Sequence, residues 1–170
     1  MKIEELLIPY CSALNKIQRH NARLYEVLYG FGSIVKVLKG SNDQSLSNIL
    51  LEKLENRWKQ WEQPLLLLSF LLHPLYRDSK FNSNTLNLSF PHLGKWVHYY
   101  YYAWFQEDPI ILLSELEEYH AKKYPYTDAI ARQFKDNTLG YWNYTQGYLK
   151  ELYKVGQCIF SITVSTASLE

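Results

Sequence analysis

The chain has 170 residues and 47% hydrophobic content, enough for one sizeable core and short for two separately cored domains. Its 18 Lys and Arg against 17 Asp and Glu leave a formal charge of +1, which excludes a broad basic surface that grips a nucleic-acid backbone by charge alone. The two cysteines, Cys11 and Cys158, lie far apart, which argues against a disulfide framework or a zinc site and fits reduced, intracellular thiols.

Sixteen per cent of the residues are aromatic, with 15 Tyr and 5 Trp, and so much large apolar surface demands a packed interior. The opening Met1-Lys2-Ile3-Glu4-Glu5 carries acids where a secretory leader needs an apolar stretch. From Leu14, apolar residues recur at Ile17, Leu24, Leu28, Phe31, Val35 and Leu38, with Asn21 filling one gap. That heptad-like stripe predicts one long helix from about Pro9 to Leu38, continuous through Gly30 and Gly32, with Asn21 as a register-setting buried polar group. Lys39-Gly40-Ser41-Asn42-Asp43 is a turn, Gly40 suiting a helix end and Asn42 or Asp43 the next cap.

A helix follows from Gln44 to Trp61, with Leu46, Ile49, Leu50, Leu54 and Trp58 on one face. The run Leu65 to Leu72 spans about 12 Å as a helix, against a hydrocarbon layer of about 30 Å, so it reads as a buried core helix and no membrane partner is expected. Pro64 suits its first turn and His73-Pro74 its end. Asp78 to Ser89 reads as a polar loop. Ser89-Phe90-Pro91 starts an aromatic helix through Phe105, and Asp108-Pro109 opens another with Ile110, Leu113, Leu116 and Tyr119 inward. A short helix is expected around Thr127 to Phe134, a bend near Gly140-Tyr141-Trp142, and a last apolar helical stripe of Leu149, Leu152, Val155, Ile159 and Ile162. Phe160-Ser161-Ile162-Thr163-Val164 reads as a helix end passing into an extended segment. The class is therefore all-α, a multi-helix bundle.

Few residue patterns carry chemistry. His20, His73 and His120 stand alone, and His92 and His98 fall on different helix faces, so no metal site is expected from them. Lys95 beside Tyr99-Tyr100-Tyr101-Tyr102, and Arg57 and Lys59 beside Trp58 and Trp61, are the candidate nucleic-acid contacts. Packing is the stronger reading for both, because consecutive tyrosines on a helix point in different directions and the Arg57 and Lys59 stems can cover the indole faces. Glu115, Glu117 and Glu118 read as a solvated acidic face.

The closing run Glu151-Leu152-Tyr153-Lys154-Val155-Gly156-Gln157-Cys158-Ile159-Phe160-Ser161-Ile162, followed by Thr166-Ala167-Ser168-Leu169-Glu170, resembles the C-terminal region of hAT superfamily transposases, and of fungal-type members in particular. Asn56-Arg57-Trp58-Lys59-Gln60-Trp61 with Pro64 to Arg77 looks like the segment by which such proteins leave their helical insertion, and Leu14 to Gln18 and Ala22 to Leu28 are similar too. The resemblance implies residues 1–145 as helical insertion and 146–170 as the start of a truncated dimerisation region, together one compact unit. It implies Glu170 as the third metal-binding carboxylate of an RNase H-like catalytic domain, the other two lying upstream of this chain. Mg²⁺ would belong to the intact family enzyme, with no cofactor for this chain.

The expected function is that of a fragment or remnant of a DNA transposase, nuclear, supplying scaffold and dimerisation surface without being an enzyme itself. Its partner is then a second copy or the parent chain, through Leu149, Leu152, Val155, Ile159 and Ile162, with weak DNA contact at most. The alternative is a free-standing helical interaction module domesticated from a transposon.

Overall fold

The computed structural model describes residues 3–19, 22–61, 63–77 and 89–164. These form nine α-helices and no strand: α1 (Ile3–Ile17), α2 (Leu24–Lys39), α3 (Gln44–Trp58), α4 (Gln63–Leu71), α5 (Phe90–Phe105), α6 (Leu112–His120), α7 (Asp128–Phe134), α8 (Thr138–Thr145) and α9 (Leu152–Ser161). The all-α class is as the spacing required. No described helix is long and apolar enough to cross a membrane. The chain divides into two compact units, residues 1–66 with 163–170, and residues 67–162, so the expected division at 145/146 falls inside the second unit.

In the first unit the single long N-terminal helix is replaced by two. α1 ends at Ile17, and Arg23 is extended (φ −111°, ψ 157°) before α2 starts. Glu26 drives the new start. Its carboxylate accepts the Arg23 backbone N–H at 3.0 Å and pairs with Arg19, so the third residue of α2 satisfies a donor the helix itself leaves open. Folded back on itself, the stripe buries against its own other half: α1 and α2 pack together, and Ala13, Ile34 and Leu38 form a core joined by Tyr10, Leu50, Leu51 and Leu54. Gly30 of α2 faces Ala13 of α1, and a Cβ there would lie 3.1 Å from Ala13 Cβ. Asn21 and the polar loop up to Leu88 lie outside the described residues.

Asp43 caps α3, accepting from Leu46 N–H at 3.0 Å. The inward face of α3 is turned from the expected one: Ser47 is buried, Leu50 and Leu54 are part-buried, and Leu46 and Ile49 face solvent. The chain then returns to this unit at Thr163, where an isolated antiparallel bridge pairs Arg23 with Thr163 and Val164 N–H donates to Ala22 at 2.9 Å, giving the extended segment expected there.

The second unit has a leucine-rich and aromatic core. Leu67 to Leu72 are buried, and the chain is held by Tyr119 Oη donating to the Leu71 carbonyl (3.3 Å) and Trp142 Nε1 to that of Leu72 (3.2 Å). Two starts differ from expectation. α6 begins at Leu112 rather than at Asp108-Pro109, with Ile110 90% exposed and Leu113 also outward, because the Ile110 and Ile111 N–H groups are drawn to Glu151 instead of starting a helix. Gly140-Tyr141-Trp142 lies inside α8, whose start is capped by Asn137 accepting from Gly140 N–H at 2.9 Å, so the expected bend is helix.

α9 packs on α8, α5 and α6. Its Gly156 faces the Trp142 indole, where a Cβ would fall within 2.6 Å of Cε2. Gly156→Ala is therefore expected to lower unfolding stability by about 3 kcal/mol through overpacking against a fully buried ring. Gly32→Ala, at a helical position with open space around it, should instead raise stability by about 1 kcal/mol. Urea denaturation of both variants checks the pair.

Candidate functional site

The first unit leaves an apolar groove of about 420 Å³ open between its helices. α1 supplies Tyr10, Ala13, Leu14 and Ile17, α2 supplies Val27, Phe31 and Ile34, and α3 supplies Leu54 and Arg57, with Trp61 closing one end. The helix spacing that buries Ala13 and Ile34 against each other leaves Leu14 on the shoulder, more than half exposed. Phe31, Trp58 and Trp61 form an aromatic wall, with ring centroids at 5.5, 5.5 and 6.2 Å. Burial raises the Tyr10 phenol above its ordinary value. A concave apolar surface with one cation at its edge suits the apolar face of a protein helix better than a small polar substrate.

A second groove, about 490 Å³, lies on the second unit between α5 and α6. Phe90, Pro91, Gly94, Leu113 and Leu116 line it, with Lys95 and His98 at its rim. Of the four consecutive tyrosines, Tyr100 and Tyr101 are buried while Tyr99 and Tyr102 face solvent, the division that helical geometry imposes.

The residues singled out in the sequence separate accordingly. Arg57 lines the first groove and donates to Gln60 Oε1 at 3.3 Å. Lys59 is exposed and paired with Glu55 at 3.1 Å. Lys95 lies on the other groove, in the other unit. Leu149, Leu152, Val155 and Ile159 were expected to be open to a partner, but are buried in the second unit, and Ile162 is part-buried; α5, α6 and α8 cover the stripe. Glu170 lies outside the described residues. Among those described, no group of three or more His, Cys, Asp or Glu side chains is placed to hold a metal. Cys11 and Cys158 are both free, and burial raises the Cys158 thiol.

The sequence concealed three charged residues that are buried, Glu115, Glu151 and Arg77. Glu115, read as solvated, is 6% exposed and accepts from the N–H groups of Lys150, Glu151 and Leu152 at 2.8, 3.1 and 2.7 Å. Glu151, 8% exposed, accepts from Ile110 and Ile111 N–H, both at 2.9 Å. Arg77, in the left-handed region at φ 47°, lays its guanidinium over the Tyr119 ring at 4.6 Å and donates to the carbonyls of Tyr119 (3.3 Å) and Tyr126. Beside it, burial pushes the Tyr141 phenol up to about 12, against the pull of the Arg77 charge. An acid followed by a helix start is common in sequence, and nothing local marks which distant N–H groups it will meet.

His73 is also buried, stacked on Tyr76 at 3.9 Å and edge-on to Phe160, with Nδ1 accepting from Leu75 N–H at 3.2 Å. Compared with family models, curated proteins and solved structures, the chain matches none.

Burial lowers the His73 imidazole from 6.5 to about 4. The unfolded chain then takes up a proton through pH 6.5 while the folded one does not until about 4. The stability this site contributes is full above pH 6.5 and falls as the pH drops towards 4, by about 3 kcal/mol in all. Urea denaturation across that window should show the loss, and His73→Phe, which keeps the stacking, should flatten it.

Proposed function

We propose that this chain is a helical scaffold and protein-docking unit of a hAT-like transposase, working in the nucleus and without catalytic activity of its own. The family reading is supported by the residue pattern from Glu151 to Glu170 and from Asn56 to Arg77. The docking reading is carried by one observation: an apolar, aromatic-walled groove between α1, α2 and α3 stays open at the surface beside the packed cluster of Ala13, Ile34 and Leu38. Exposed apolar surface of this kind is costly in water and marks an interaction site.

The partner is a second copy of this polypeptide, docking through the groove of the first unit rather than through the C-terminal stripe. Light scattering at rising concentration should show dimer, and Leu14→Asp should shift the weight-average mass towards monomer with the helical circular dichroism unchanged. A monomer at all concentrations, or association indifferent to Leu14→Asp, would contradict it.

Catalysis needs a full carboxylate set around two metal ions, and Glu170 supplies one member. Purified chain incubated with DNA and Mg²⁺ or Mn²⁺ should show no metal-dependent nicking. Nicking that disappears in Glu170→Gln would show that Glu170 has partners in this chain and would sink the scaffold reading.

A further inference from the structure

The surface of the second unit carries a cluster that neither groove includes. Tyr124, Tyr144 and Tyr148 are 59%, 38% and 53% exposed, yet their hydroxyls converge: Tyr124 Oη lies 2.9 Å from Tyr148 Oη and 3.4 Å from Tyr144 Oη. Tyr144 lies in the last turn of α8 and Tyr148 in the turn that follows it, and Tyr124 arrives from the connection between α6 and α7. The rings of Tyr124 and Tyr148 meet edge-to-face at 5.3 Å, those of Tyr144 and Tyr148 lie tilted at 5.8 Å, and Phe134 backs Tyr144 at 5.5 Å. Water satisfies an exposed phenol fully, so hydrogen bonding alone does not require three of them to gather.

Phenols couple oxidatively at the ring carbons beside their hydroxyls, and the biphenol formed keeps its two oxygens in a mutual hydrogen bond. Two phenols whose oxygens already stand 2.9 Å apart, with ring centroids at 5.3 Å, are held as immediate neighbours, so radicals formed on them meet each other before any other tyrosine, in a place where an oxidant can reach them.

We propose that Tyr124 and Tyr148 are a site of oxidative tyrosine cross-linking, acted on by a haem-peroxidase-type one-electron oxidant that consumes hydrogen peroxide. Each phenol gives up one electron and one proton to become a phenoxyl radical. The two radicals join through one new carbon–carbon bond, and each ring then moves its displaced hydrogen from carbon to oxygen to regain aromaticity. The two electrons and two protons released reduce one hydrogen peroxide to two waters. Tyr144 stands beside the pair, its hydroxyl 3.4 Å from that of Tyr124. The product ties together two positions 24 residues apart, which restricts the unfolded chain and raises resistance to unfolding.

The test treats dilute purified chain with a haem peroxidase and hydrogen peroxide, and reads dityrosine fluorescence and the masses of cross-linked peptides. The expected result is a dominant intramolecular product joining the peptides of Tyr124 and Tyr148, lighter by two hydrogens. That product is lost in Tyr148→Phe and in Tyr124→Phe and retained in Tyr99→Phe, an equally exposed tyrosine on α5. Cross-links spread evenly over the exposed tyrosines, or formed as well in urea as in buffer, would overturn the proposal. So would an intramolecular yield that survives both substitutions in chains whose circular dichroism is unchanged.

Discussion

Glu115 on α6 holds the N–H groups at the start of α9, and Glu151 at the start of α9 holds those that lead into α6. Each carboxylate stands at the positive end of the other's helix, where the unpaired N–H groups and the helix dipole both favour negative charge. Bonds of this charge-assisted kind contribute about 1.5–3 kcal/mol each, and an unmatched buried carboxylate would cost more than any one of them. The arrangement is also circular. Glu115 fixes the backbone N–H of Glu151, whose side chain fixes the approach to the helix that carries Glu115. Much of the second unit follows from this closure: Leu112, Leu116 and Tyr119 turn inward from α6, and Leu152, Val155 and Ile159 from α9. Trp142 on α8 meets the small face of Gly156 on α9.

The first unit is organised by apolar packing instead. Its buried residues are small or branched, Ala13, Ile34 and Leu38, with Gly30 of α2 facing Ala13 of α1. A short two-helix contact with a third helix against it cannot cover every apolar side chain it presents, and the groove beneath Leu14 and Trp61 is what remains. The open groove and the folded core thus draw on the same stripe, which is why the groove sits next to the residues that support it.

The sequence made the helices legible wherever local chemistry decided them. Asp43 as a cap, Pro64 and Pro91 in first turns and Thr127 before α7 are all set by neighbours a few residues away. It misled where an unread cap or a distant residue decided. The stripe from Leu14 to Leu38 fits one long helix and a folded pair equally well by period alone, and the choice fell to Glu26 capping Arg23. Ile110 and Leu113 carried the right spacing for a buried face, but Glu151, 40 residues away from Ile111, set where α6 begins. The C-terminal stripe looked unpartnered because the aromatic helix α5 and the tryptophan of α8 that cover it could not be assigned to it from spacing. Arg57 was legible as a cation among aromatic residues, although the groove it edges needed three helices to define.

The dependence of the second unit on its paired caps is tested most directly by a double-mutant cycle between Glu115 and Glu151, with each changed to Gln alone and together and unfolding followed in urea. Closure predicts that each single change lowers stability by about 2–4 kcal/mol, and that the double variant loses little more than the worse single one, since breaking either cap releases the other. Losses that simply add, or single losses below about 0.5 kcal/mol, would show that the two carboxylates act independently or hardly at all, and would contradict the account.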